Sequence, residues 1–93
     1  MIGKSYRRKV KRVIDGDTFE IYRSILGKRF VRLANVNTPE KGQRGYMKAK
    51  KILQDLIEGK TVTIIPVHIG RRVIAEVILN RRSINRMMNG MGY

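Results

Sequence analysis

A mainly β fold is what this sequence predicts: a five-stranded β-barrel with a helix between strands 3 and 4 and a short C-terminal helix. Several segments alternate strong β-formers with polar residues. One segment alone has a clear helical period. Glycine, asparagine and aspartate fall between these segments, where turns are needed. The chain has 93 residues, which suits a single domain over residues 1–93. Hydrophobic residues are 42% and charged residues 30% of the chain, a globular mix.

Tyr6 to Ile14 reads as the first strand, basic early and apolar late. Asp15-Gly16-Asp17 is a turn signal, with glycine expected to supply positive φ and aspartate to bond nearby backbone N–H groups. Thr18 to Arg23 alternates Phe19, Ile21 and Arg23 against Thr18, Glu20 and Tyr22, a second strand. Gly27 marks a hairpin turn, and Lys28 to Val36 alternates again as a third strand. Asn37 to Arg44 is a loop. Gly45 to Glu58 is the helix: Ala49, Ile52, Leu53, Leu56 and Ile57 form one apolar stripe. Lys48, Lys50, Lys51, Gln54 and Asp55 take its other face, and Gly59 ends it. Thr61 to Val67 is a β-branched buried strand interrupted late by Pro66. Arg72 to Leu79 is the fifth strand. Ser83 caps a short helix through Asn89, with Gly90 at its end. Three strands, a helix and two strands is the order of the OB-fold barrel, a fold that uses one barrel face to hold oligonucleotides.

Charge narrows the partner. Lys and Arg number 21 against seven Asp and Glu, for a net charge of +14. Such a chain repels itself unless it meets a polyanion, and nucleic acid is the commonest. The basic runs Arg7-Arg8-Lys9, Lys48-Lys50-Lys51 and Arg81-Arg82 would add salt-dependent, sequence-independent attraction. An anionic membrane surface is a weaker reading of the same charge. There is no cysteine, hence no disulfide and no thiolate metal site. No apolar run approaches the ~18 residues of a membrane span. The basic start, MIGKSYRRKVKR, lacks the apolar stretch of a secretory signal, so a cytoplasmic location is expected. No protein partner is implied.

Three segments carry the chemistry: VIDGDTFEI with Asp15 and Asp17, VRLANVNTPE with Arg32, Asn37, Thr38 and Glu40, and GRRVIAEV with Arg71 and Arg72. Phosphodiester cleavage calls for such an inventory. A hard cation on oxygen ligands neutralises the charge that gathers on the phosphoryl oxygens. Arginine forks onto two phosphate oxygens. A carboxylate orients or deprotonates water.

With GK-V at Gly59-Lys60-Val62, RVIAEV and INRMMNGM following in order, the chain resembles the staphylococcal nuclease (thermonuclease-like) family from about Val10 to Met91. The resemblance implies a Ca2+-dependent nuclease acting on DNA or RNA and leaving 3′-phosphate ends. It implies that Asp17, Asn37 and the Thr38 carbonyl bind the metal. It implies catalytic roles for Arg32 and the second arginine on the phosphate, and for Glu40 as general base or water-orienting group. The second arginine is Arg72 by its spacing from Ala75, or Arg71 if the chain carries a one-residue insertion. Strand alternation allows only one of them into the site, and Arg72 is favoured. Arg71, Lys48 and Lys51 are candidate nucleic-acid contacts. Asn37 departs from the family, which has an aspartate there, so a weaker or differently selective metal site is expected.

Plainer readings stand beside these. Asp-Gly-Asp can be only a turn. Thr38-Pro39-Glu40 can be an N-cap, a first-turn proline and a dipole-favoured glutamate. His68 has no partner histidine and reads as structural. Met87, Met88 and Met91 read as packing. A non-catalytic OB-fold module that binds nucleic acid is the alternative function.

Overall fold

The structure, a computed structural model, describes residues 4–93. Met1 to Gly3, the head of the basic start, lie outside the described residues. The strands are β1 (Tyr6–Asp15), β2 (Thr18–Ile25), β3 (Lys28–Leu33), β4 (Thr61–Ile69), β5 (Val73–Leu79) and the two-residue β6 (Arg82–Ser83). The helices are α1 (Tyr46–Ile57), between β3 and β4, and α2 (Ile84–Gly90), after β6. The sheet order is β3-β2-β1-β4-β5-β6, and β3 also pairs with β5. That last pairing is parallel, aligning Val31, Arg32 and Leu33 with Val73, Ile74 and Ala75. It closes β1 to β5 into the expected five-stranded OB-fold barrel.

Alternation does what the sequence predicts on β2 and β3. Phe19, Ile21, Val31 and Leu33 point inward and are fully buried. With Val10, Val62, Ile64, Val73 and Val77 they fill the barrel. The β2–β3 hairpin turns through Leu26 and Gly27, both at positive φ, the primed-turn geometry that matches strand twist. Asn80 and Arg81 repeat that geometry before β6, a strand too short to leave a sequence signal. Bulges interrupt the β1–β2 ladder near Lys11 and Ile14 and sharpen the curvature that closure requires.

Pro66 does not end β4, which runs on to Ile69. The β1 partners of β4 stop at Tyr6↔Ile64, and the β4–β5 register shifts between Pro66 and His68. Proline is tolerated where one neighbour is missing and the ladder bulges. β3 stops at Leu33 instead of Val36, because the chain turns at Ala34 and Asn35, with Asn35 at φ 58. The N-cap reading of Thr38 is also corrected. α1 begins at Tyr46 behind Gly45, whose φ of 87 makes the turn into the helix.

α1 buries Ala49, Leu53 and Ile57, while Ile52 and Leu56 pack at the margin of the core. Tyr46 Oη donates to the Ile14 carbonyl at 3.1 Å, and Glu58 Oε1 accepts from Val13 N at 2.8 Å. Both ends of the helix are thus tied to the last turn of β1. Ser83 caps α2 by accepting from Arg86 N, as expected. Met88 is fully buried and Met87 packs against the core, but Met91 is half exposed and does not pack as expected. His68 is exposed.

Gly16 is buried but does not have the positive φ expected of it. A Cβ there would lie 2.8 Å from the Ala49 Cβ and 2.8 Å from the Thr38 Cβ and Cγ2. Its missing side chain is what lets α1 and the 36–40 segment meet the β1–β2 turn. Gly16→Ala is therefore expected to cost about 2 kcal/mol through overpacking, a fall in Tm of roughly 8–16 °C. Adding Ala49→Gly should recover part of it. Thermal melts of both variants check this, and an unchanged Tm for Gly16→Ala would contradict the close-approach account.

Candidate active site

The β1–β2 turn presents Asp15 and Asp17 at one end of the barrel. Asp15 Oδ1 accepts from the Asp17 N–H at 3.1 Å, a local bond that fixes the turn. Asp17 then stands at the head of β2. Its Oδ1 accepts from Thr18 Oγ1 at 2.9 Å, and its Oδ2 accepts from Arg32 Nη2 at 3.3 Å. Arg32 reaches it because β2–β3 register sets Thr18 directly opposite Arg32, on the outward face of the pleat.

The same Arg32 Nη2 donates to Asn37 Oδ1 at 3.2 Å, while Nη1 donates to the Leu33 carbonyl at 2.9 Å. One guanidinium is thereby held by three acceptors from two segments. The side chains of Arg32 and Asp17 are only 21% and 14% exposed, so water screens this pair less than an ordinary surface pair. Arg72 Nη1 lies 3.4 Å from Thr18 Oγ1. Arg72, Thr18, Asp17, Arg32 and Asn37 therefore form one connected row.

Arg72 is not on a strand as expected. β5 begins at Val73, and Arg71 and Arg72 lie in the bend before it, with Gly70 N donating to the Arg72 carbonyl at 3.0 Å. Strand alternation thus does not choose between the arginines. Both arginines are exposed, and the bond to Thr18 belongs to Arg72.

The 34–37 segment is held from behind by the C-terminal helix. Buried Asn85 donates to the Ala34 carbonyl at 2.9 Å and the Ala75 carbonyl at 3.0 Å, and accepts from Val77 N at 2.9 Å. Asn89 donates to the Asn35 carbonyl at 3.0 Å, and Asn37 N donates to the Tyr93 carbonyl at 3.0 Å. Sequence reasoning missed Asn85 and Thr18. The threonine that closes DGDT was a usable signal. An asparagine in a short helix gave none, since its role depends on β3 and β5 meeting.

Glu40 is not drawn into the row. It is exposed, and its backbone is fixed instead: its N–H donates to Gln43 Oε1 at 2.7 Å, and its carbonyl accepts from Gln43 N at 2.8 Å. Thr38 lies against Gly16, beside the aspartate turn. Lys48 is exposed on α1, and Lys51 is paired with Asp55 one helical turn on at 3.0 Å.

Oxygen donors dominate what the row offers a cation. Asp17 Oδ2 and Asn37 Oδ1 converge on a single nitrogen of Arg32, so both face one small space. Among the described residues no cluster of three or more His, Cys, Asp or Glu side chains is placed to hold a metal. The set fits a hard, oxygen-seeking cation held with little protein charge, and does not fit a softer metal that needs imidazole or thiolate.

The fold and the site together are those of a small OB-fold barrel with an arginine–carboxylate row at one end. Comparison with known proteins gives the family: residues 30–93 match the model of the staphylococcal nuclease homologue family, and the chain belongs to it. The match opens at Phe30, so Arg32, Asn37, Glu40 and Arg72 lie within it, while Asp17 lies ahead of it. Two relatives, from Escherichia coli O157:H7 and Escherichia coli, are each 41% identical over 56 residues, and each is described as an uncharacterized endonuclease. The alignment covers 60% of this chain and 36% of each relative, so the chain spans about a third of the relatives it matches. No helix among the described residues is long and apolar enough to cross a membrane.

Burial pushes the Asp15 carboxyl above its ordinary value, and its side-chain contact with Asp17 pushes the same way. A carboxyl raised in the folded state binds its proton more tightly there than in the unfolded chain. Its stabilising effect is full below the ordinary value of about 3.9 and is lost as pH rises through the raised one. Asp15→Asn keeps an oxygen acceptor and removes that loss. Its Tm relative to the parent should therefore be higher at pH 7 than at pH 3, in chelator-containing buffer. Equal offsets at both pH values would contradict this.

Proposed function

We propose that this chain is a divalent-cation-dependent nuclease that hydrolyses phosphodiester bonds of DNA or RNA. The observation that carries the proposal is the placement of Arg32 between Asp17 and Asn37, with Arg72 on the same row. The family of the chain and the description of its relatives as endonucleases support it, and so does a net charge of +14.

Asp17, Asn37 and the Thr38 carbonyl would hold the cation, with Ca2+ the first choice for an all-oxygen set. When bound, such an ion supplies Lewis-acid stabilisation of the charge gathering on the phosphoryl oxygens. Arg32 and Arg72 bind the phosphate from two sides. Glu40 stands free on a backbone clamped by Gln43, and would take the proton of the attacking water. Water adds to phosphorus and the bond to the 5′ oxygen breaks, leaving a 3′-phosphate. Asn37 lowers the negative charge offered to the ion, so working cation concentrations should be high.

A fluorogenic oligonucleotide assay with calcium, magnesium and manganese tests this. Glu40→Gln should lower kcat by about 10²–10⁴-fold while leaving binding in place. Cleavage at the parent rate, or no metal-dependent cleavage by the parent chain, would overturn the proposal in favour of nucleic-acid binding alone. Asn37→Asp should lower the calcium concentration for half-maximal activity on the order of tenfold, since affinity follows ligand charge. An unchanged calcium requirement would remove Asn37 from the cation site.

A further inference from the structure

The outward face of β1, β2 and β3 continues beyond the phosphate site. Along β2, Thr18, Glu20 and Tyr22 share this face. Along β3, Phe30 and Arg32 share it, because the ladder pairs Thr18 with Arg32 and Glu20 with Phe30. Phe30 is therefore two residues from the Arg32 guanidinium along one strand. Tyr22 lies two residues beyond Glu20 on β2, where the β2–β3 register shifts. Their inward neighbours Phe19, Ile21 and Val31 are fully buried, whereas Tyr22 is 55% and Phe30 39% exposed. These two aromatic rings serve no core.

Cations flank the Tyr22 ring. Lys9 Nζ and Lys11 Nζ lie 6.0 and 5.9 Å from the centre of the Tyr22 ring, at the limit of cation–π range. Both lysines are exposed on β1, and the bulge beside Lys11 sets Arg12 on the same face. The one carboxylate in this row, Glu20, is nearly buried and bonded to Arg12 at 2.7 Å. It does not repel an incoming anion as a free carboxylate would.

We infer that this face is a track for single-stranded nucleic acid leading into the phosphate site, with Phe30 and Tyr22 as successive base-stacking platforms. The inference rests on the nuclease reading and names the substrate form it favours. An unpaired base can lay its face on an exposed ring while its phosphate meets a lysine. A duplex keeps its bases stacked on one another and offers only backbone to such a surface. Stacking reads neither sequence nor sugar, so DNA and RNA single strands should bind alike. Lys48 and Lys51, on α1, lie off this track.

Fluorescence anisotropy with labelled 12-nucleotide oligothymidylate and oligouridylate tests it, in chelator and in a Glu40→Gln background so that no strand is cut. Tyr22→Ala and Phe30→Ala should each weaken binding about tenfold, the low end of what one stacked base contributes, without changing the salt dependence. Tyr22→Phe should bind like the parent. Lys9→Ala with Lys11→Ala should instead flatten the dependence of log K on log salt by roughly 1.4, about 0.7 for each single-strand phosphate that a lysine no longer neutralises. Melting curves show whether each variant is folded, and exposed positions should shift Tm little. A double alanine variant that binds as tightly as its parent, or a 12-base-pair duplex that competes as well as the single strand, overturns the track. Aromatic-dependent binding by a chain that never cleaves would uphold the track and sink the nuclease reading.

Discussion

Everything at the site depends on the absence of a side chain at Gly16. The β1–β2 turn, the 36–40 segment and helix α1 meet there, closely enough that a single methyl group would lie 2.8 Å from both Thr38 and Ala49. A real Cβ does not tolerate such contacts, so the three segments are brought together by something only glycine provides. The approach brings the segment bearing Asn37 and Thr38 alongside the turn bearing Asp15 and Asp17. Tyr46 and Glu58 hold the helix to the same end of β1, and Asn85 holds the far side of the loop through three hydrogen bonds. Losing Asn85 would leave buried backbone groups unpaired, each costing about 1–3 kcal/mol.

A chain with this excess of positive charge needs few carboxylates, and the structure sets one of them under close control. Asp17 sits between a hydroxyl and a guanidinium, and that guanidinium also reaches Asn37. A cation bound as proposed would compete with Arg32 for the same oxygens. Occupation by a cation would free Arg32 Nη2 to turn to a phosphate, coupling ion binding to substrate binding through one residue. The remaining positive charge is spread over the barrel surface, where it draws polyanions in without choosing among them.

Most of the fold was legible because each barrel element carries its own local signal. Phe19, Ile21, Val31 and Leu33 alternate, Ala49, Leu53 and Ile57 recur at helical spacing, and Ser83 caps α2. The misreadings have physical causes. β4 runs past Pro66 and two residues beyond the expected end at Val67, because the strand has lost its β1 neighbour there and the β4–β5 ladder bulges. Arg72 looks like a strand residue because Val73 follows it. Gly16 has a turn's sequence context but a packing reason, and packing partners 22 and 33 residues away (Thr38 and Ala49) leave no local trace. Of the site, Asp17, Arg32 and Asn37 were legible through motif order, and the structure joins them. Glu40, read from the same motif, makes no side-chain contact with the row. Thr18 and Asn85 act through bonds to distant strands, which no local pattern encodes.

The central claim is that the oxygens of Asp17 hold the cation on which phosphodiester cleavage depends. Asp17→Asn tests it most directly, because it preserves shape and leaves one oxygen acceptor for Arg32, with its NH2 toward Thr18 Oγ1, while removing the charge. Cleavage of a single-stranded oligonucleotide would be followed as calcium is titrated against the parent chain and this variant. A parent that cleaves only with added cation, and a variant at least a hundredfold slower across the titration, is the predicted result. A variant that matches the parent at every calcium concentration would contradict it.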